Sequence, residues 1–316
     1  MHLLVLILFV KLGNIFAVEP VDYVKPQIDT HKSRWFFFSS ASRPFGLVSL
    51  SPDNAVKGSW NSGYLYDSTY VRCFSHVHCW QLSGIPVMPT VGMINGHKGM
   101  DFYKSEYSHE GEIVKPGYHK IKLDKYNVKV ELTSTNRVGF HRYDYSSADT
   151  ANVLFDVGAF LAHDKTTKAK IYKTSADEIR GYSLMAPTHR RKKPIQVYFV
   201  AKFNNPISSF GGWEKDASGN KILSDKQIYE GEDVGGYVRF YNLDGKPLLM
   251  KVAISYVSEE QALLNMQEEL PHWDFDKVVD DSFAEWNSEF GKIKVEGGTY
   301  EQRVKFYTDL WHSLLG

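Results

Sequence analysis

The sequence predicts a mainly β protein: a large antiparallel β-sandwich followed by α-helices. Three observations carry that prediction. Short apolar segments of strand length, separated by Gly, Pro, Asn and Asp, fill the chain from about Val21 to Val257. Within them the apolar period is two rather than 3.6. From Ser258 onward the pattern changes to helical repeats with capping residues.

The strands come first. In "YNVKVELTST", Val128, Val130 and Leu132 alternate with Lys129, Glu131 and Thr133, as in a strand with one wet face. "IQVYFVAKF", residues 195–203, is apolar on both sides and belongs in the middle of a sheet. "YVRFYNLDGKPLLMKVAISYV" predicts a hairpin turning at Asp244-Gly245, with Leu248, Met250, Val252, Ile254 and Tyr256 on one face.

Three helices follow. Ser258 with Gln261 three residues on forms a capping box, and Pro271 ends that helix. In "DFDKVVDDSFAEWNSEF", Phe275, Val279, Phe283, Trp286 and Phe290 make a second apolar stripe, stopped by Gly291. A third helix opens at Thr299 with Gln302. Its apolar residues Val304, Phe306, Tyr307, Leu310, Trp311, Leu314 and Leu315 cover more than half its circumference, so it needs neighbours on several sides. The expectation is that a helical domain starts there and the chain stops inside it.

At 316 residues and 43% hydrophobic content the chain can bury a substantial core. Lys plus Arg and Asp plus Glu are equal at 37 each, which provides no general attraction for nucleic acid or anionic membrane. The apolar run Leu3–Val10 is far short of the ~20 residues needed to span a bilayer. It suits the core of a secretory signal cleaved after Ala17, hence a secreted or periplasmic protein, although Lys11 follows the run and no Lys or Arg precedes it.

The densest chemistry lies in "RCFSHVHCWQLSGIPVMP", residues 72–89. Cys73, His76, His78 and Cys79 are the residue types of a zinc site. On a strand over 72–80, however, the two histidines point one way and the two cysteines the other. A disulfide fails similarly, since six strand residues span ~20 Å against the ~4.4–6.8 Å the bond needs. Two readings stay open: buried cysteines with hydrogen-bonded core histidines, or a polar and aromatic face with His76, His78, Trp80 and Gln81 at a strand end. The nearby "GSWNSGYLYDS" places Trp60 and Tyr64 on a loop among Asn61, Ser62 and Gly63, which is sugar-stacking chemistry as well as ordinary loop composition. Phosphate loops, Gly-X-Ser-X-Gly elbows and His-Glu-X-X-His motifs are absent.

Taken together, "RPFGLVSLSPD", "WNSGYLYDS", "CFSHVHCWQLSGIPVMPTVG", "YSHEGEIVKPGYHKIKL", "VELTSTNRVGFHRYDY" and "EIRGYSLMAP" resemble the N-terminal half of glycoside hydrolase family 92, a family of exo-acting α-mannosidases. The resemblance implies a signal peptide at 1–17, a β-sandwich domain at 18–257, a helical linker at 258–298, and at 299–316 the first helix of an (α/α)6 catalytic barrel. It implies calcium as cofactor, mannose-containing glycans as substrates, and inversion by an acid and a base. The catalytic pair and most calcium ligands are expected beyond Gly316, in a missing catalytic domain, so no catalytic or metal residue is assigned in this chain. Trp60, Asn61, Ser62, Gly63 and Tyr64, then His76, His78, Trp80 and Gln81, match the sandwich's contribution to the sugar pocket. A non-catalytic carbohydrate-binding sandwich and a zinc protein built on residues 73–79 are the alternatives.

Overall fold

The computed structural model describes residues 18–32, 38–56, 63–79, 82–146, 148–159, 161 and 165–315. The signal-peptide expectation at 1–17 lies outside them, as do Trp60, Asn61, Ser62, Trp80 and Gln81.

Two antiparallel sheets face each other. One has eight strands in the order Ala41–Ser42, Ser49–Asp53, Cys73–Ser75, Val87–Val91, Thr150–Phe155, Gly235–Tyr241, Ser209–Lys215 and Lys221–Ser224. The other has nine: Ile228–Gly231, Thr166–Lys173, Glu178–Met185, Ile195–Phe203, Leu248–Ser255, Val138–Asp144, Val128–Ser134, Tyr118–Leu123 and Ile113–Lys115. Their inner faces share one apolar core that includes Leu50, Phe74, Val130, Phe155, Phe199 and Val252. Fully burying such a side chain stabilises the fold by roughly 1.5–3 kcal/mol.

Local patterning accounts for most of this. Val128, Val130 and Leu132 are fully buried while Lys129 is exposed; Thr133 departs from the expected wet face and is buried, its hydroxyl donating to the Gly117 carbonyl at 2.8 Å. Ile195–Phe203 is interior to its sheet, and its two apolar faces serve two cores: Val197, Phe199 and Ala201 face the sandwich, and Val200 faces the helices.

The expected hairpin at Asp244-Gly245 does not form. Both residues take positive φ, 52° and 69°, as a tight turn requires, but Gly235–Tyr241 belongs to the eight-stranded sheet and Leu248–Ser255 to the nine-stranded one. The turn is a corner between sheets because Tyr143 to Val138, not Tyr241, supply the partners for Leu248 to Ala253. The single strand expected over 72–80 is likewise broken at His76, with Val77–Cys79 pairing Leu82–Gly84 in a separate ribbon.

Helix α1 (Glu259–Glu269) and the first turns of helix α2 (Phe275–Phe290) cover the outer face of the nine-stranded sheet, packing Ala262, Met266, Phe275 and Val278 on Val138, Phe140, Val200 and Ala253. Ser258 caps α1 by accepting from the Gln261 amide at 3.1 Å. Lys251, 4% exposed, caps the other end by donating to the Leu270 carbonyl at 2.8 Å and lies 4.0 Å from the Trp273 ring centroid. Burial pushes its ammonium down to about 8.

The buried line of α2 is Phe275, Val278, Ser282, Trp286 and Phe290, one position away from the expected stripe at Val279 and Phe283. The shift has a steric cause. Gly117, at φ 80°, lets the chain pass so close that a Cβ there would meet Ser282 Cβ at 2.8 Å, so a large residue at 282 has no room.

Helix α3 (Tyr300–Leu314) opens with the complete Thr299–Gln302 capping box. Val304 is buried, Tyr307 and Trp311 pack against Val24, Phe38, Tyr64, Trp286 and Phe290, and Phe306, Leu310, Leu314 and Leu315 are partly covered. Among the described residues no helix is long and apolar enough to cross a membrane.

Candidate sugar-facing junction

The described members of the expected site divide between two buried networks and one junction. Ala55 and Gly63 form an antiparallel bridge, so the residues flanking 57–62 are held together. A Cβ at Gly63 would lie 3.9 Å from His78 Cδ2, which places the histidine directly beneath this bridge.

His78 is 5% exposed. Its Nε2 meets Asp53 Oδ1 at 2.9 Å, and its Nδ1 donates to the Ser49 carbonyl. Asp53, fully buried, also accepts from the Ser75 amide at 3.1 Å, the Ser75 hydroxyl at 2.6 Å and the Cys73 thiol at 3.6 Å. Burial opposes charge on the imidazole, but the Asp53 carboxylate and the Ser49 carbonyl outweigh it and raise the pKa. Burial first, then Asp53, pushes the free Cys73 thiol well up, so it is a poor nucleophile and metal ligand here.

His76 belongs to a different network. It is fully buried, with Nδ1 donating to the Ile85 carbonyl at 2.7 Å and Nε2 2.8 Å from His141 Nε2. The network assigns the tautomers: His76 Nε2 must accept, so His141 donates from Nε2 and accepts the Tyr143 hydroxyl at Nδ1, 2.9 Å away. His76 and His78 therefore do not share a ligand-facing surface, and every ring nitrogen is engaged within the fold. That leaves the zinc alternative without free histidine ligands.

A proton added at His76 Nε2 would face the His141 Nε2–H unless His141 changed tautomer. Burial accordingly pushes His76 down to about 4 and His141 well below its ordinary value. Both folded values lie below the unfolded ~6.5, so the unfolded chain binds more protons and stability falls as pH drops from about 6.5 toward 4. His76 alone accounts for about 3 kcal/mol at pH 4. Thermal denaturation at pH 7 and pH 4.5 is expected to show a lower midpoint in acid. His78 acts with the opposite sign: its contribution is present below ~6.5 and is lost as pH rises through its raised folded value.

Tyr64 marks the junction between sandwich and helices. It is 3% exposed and stacks on Phe38 at 4.2 Å between ring centroids. Its hydroxyl accepts from Gln27 Nε2 at 3.0 Å and donates to Glu112 Oε2 at 2.9 Å. Glu112 is the centre of this arrangement. Its side chain is fully buried, with Oε2 also receiving Gln27 Nε2 at 2.9 Å and His109 Nδ1 at 2.6 Å, and Oε1 receiving His119 Nε2 at 2.9 Å. His119 is fixed in turn by the Ser40 hydroxyl at 2.7 Å.

Burial favours the neutral acid, yet the His119, His109 and Tyr64 bonds together hold Glu112 below the usual carboxylate range. Four donors converge on this carboxylate and favour its ionised form, so it positions its neighbours and carries no proton to give as a general acid. Glu112, His109 and His119 were missing from the expected site although they lie in "YSHEGEIVKPGYHKIKL"; the Pro116-Gly117 turn, which pairs Lys115 with Tyr118 and Val114 with His119, is the signal that sets Glu112 diagonally across from His119.

Comparison with known proteins gives the family. The family model described as Glycosyl hydrolase family 92 N-terminal domain matches residues 23–255, and that of the Glycosyl hydrolase family 92 catalytic domain matches residues 261–316. The chain belongs to glycoside hydrolase family 92.

A family 92 α-mannosidase from Bacteroides thetaiotaomicron superposes with a TM-score of 0.82 at 25% identity, covering 94% of this chain and 41% of that one. The family 92 inverting mannosidase of Bacteroides thetaiotaomicron VPI-5482 shares the fold, with a TM-score of 0.78 at 22% identity, covering 94% of this chain and 40% of that one. An uncharacterized secreted glycosidase of Arthroderma benhamiae is 26% identical over a 313-residue alignment, gaps included, that covers 88% of this chain and 39% of that protein. The chain thus spans about two fifths of the length of the relatives it matches.

Proposed function

We propose that this family 92 chain supplies the sandwich wall of an inverting α-mannosidase that removes mannose from glycans or glycoproteins. The observation that carries the reading is the match to both family 92 domain models, at 23–255 and 261–316, in one chain. In this reading 18–257 is the sandwich domain, 258–298 the linker, and α3 the first helix of an (α/α)6 barrel. Trp60, Asn61 and Ser62 meet the sugar. Gly63, Tyr64 and His78 support them from below, while His76 holds the adjoining sheet; Trp80 and Gln81 complete the wall. The acid and the base come from the part of the protein that these relatives have in addition.

Calcium is proposed as a requirement of the assembled enzyme. Among the described residues no three His, Cys, Asp or Glu side chains converge where an ion could sit. Export is proposed from the apolar run at Leu3–Val10 and from the relative described as secreted.

The test is the protein recovered from its own source, weighed intact and assayed on a chromogenic α-mannoside with and without a chelator. Turnover that releases β-mannose first and needs calcium is expected. Saturable mannose binding without turnover would replace this reading with the carbohydrate-binding module. Neither binding nor turnover would sink both.

A further inference from the structure

A second polar cavity lies where the strand Thr150–Phe155 ends. Asp156 is 3% exposed there. Its Oδ2 accepts the Tyr103 hydroxyl at 2.8 Å, and its backbone is tied to Pro86 and Ala159 at 3.1 and 2.8 Å, so the side chain is held in place. Its Oδ1 is buried and has no hydrogen-bond partner among the described residues. Leaving such an oxygen unpaired is costly, the more so if it is charged.

Asp156 lines a cavity of about 230 Å³ together with Val56, Met100, Asp101, Lys221 and Asp233. Two of these are already paired: Asp101 with Arg72 at 3.1 Å, and Asp233 with Lys215 at 3.0 Å. Lys221 has no ion pair among the described residues. Asp156, whose Oδ1 has no partner, and Lys221 thus line the same cavity, with Val56 and Met100 as its apolar part.

We propose that this cavity binds a neutral polyhydroxylated ligand of monosaccharide size, with Asp156 Oδ1 accepting from one hydroxyl and Lys221 donating to another. Three carboxylates exclude an anion. The Lys221 ammonium, and the lack of three converging ligands among the described residues, argue against a bare divalent cation. The volume is below the ~300 Å³ lower end of ordinary ligand pockets, which limits the occupant to about one sugar ring. Burial pushes the Asp156 carboxyl up to about 6 against the opposing pull of Lys221, so at neutral pH it is mostly an acceptor.

The polyol chemistry is read from the cavity alone; the choice of mannose rests on the function proposed above. The experiment is a titration of the 316-residue chain with methyl α-D-mannoside and with myo-inositol, followed by saturation-transfer NMR, in the parent, Lys221→Met and Asp156→Asn. Lys221 is half-buried on an edge strand, so its variant is expected to fold even if Asp156→Asn does not. Saturable binding is expected, weakened about tenfold or more in Lys221→Met. No saturation by either polyol up to about 50 mM, or binding unchanged in Lys221→Met, overturns the proposal. Lys221-dependent binding of inositol but not mannoside upholds the cavity and counts against mannose as its occupant. Lys221-dependent binding in a protein without mannosidase activity upholds the cavity while the functional reading falls.

Discussion

Replacing Glu112 with alanine is expected to lower the stability of the chain by about 3–5 kcal/mol, the range for removing one partner from a buried, paired charge. The large value follows from what is left behind. Gln27, Tyr64, His109 and His119 all direct donors at one carboxylate, and its removal strands them around a void at the junction with α3. Glu112→Gln keeps the volume but turns an NH2 group toward groups that are themselves donors, so most of the loss is expected to remain. The sign of the pH dependence is fixed by the depressed carboxyl. Its stabilisation is present above the unfolded value near 4.5 and is lost as pH falls through the lower folded value. Urea denaturation of both variants at pH 7 measures the effect, and a cost under about 1 kcal/mol for Glu112→Ala would mean the network does not hold this junction.

Local chemistry in the sequence was sufficient where the decision was local. Val128, Val130 and Leu132 show their strand by alternation, and Ser258 and Thr299 open their helices with side chains that satisfy nearby amides. Asp244 and Gly245 even take the conformations their turn chemistry demands. Which sheet receives the next strand was not legible there, because that depends on partners around residues 138–143, a hundred positions earlier. The same limit applies to the site. Tyr64 meets Glu112 across 48 residues and His76 meets His141 across 65, so neither contact has a spacing to recognise. The tally of reactive side chains in residues 72–89 was a true signal of dense polar chemistry, but the break at His76 sends its two histidines into separate buried networks.

The second large effect is expected at Trp286. Trp286→Ala is expected to cost about 3–5 kcal/mol, the range for deleting a buried tryptophan. The ring is fully buried, lies 5.3 Å from Phe290 and 6.4 Å from Trp311, and donates its indole N–H to the Ser42 carbonyl at 3.0 Å. That bond joins α2 directly to the edge of the eight-stranded sheet. Its loss leaves a cavity in the cluster that Tyr64 also shares, so the helices and the Tyr64 junction should loosen together. Phe283 supplies the discriminating comparison. Apolar periodicity assigns it the same stripe as Trp286, whereas the structure leaves it partly exposed with the Lys115 ammonium 5.4 Å above its ring. Phe283→Ala should therefore cost roughly 1 kcal/mol or less. Urea denaturation of the two variants, with limited proteolysis to follow release of the C-terminal helices, reads the difference directly. Equal losses would place α2 on the stripe its periodicity suggests; a loss confined to Trp286 means that the close passage of Gly117 over Ser282 has set how the helices meet the sandwich.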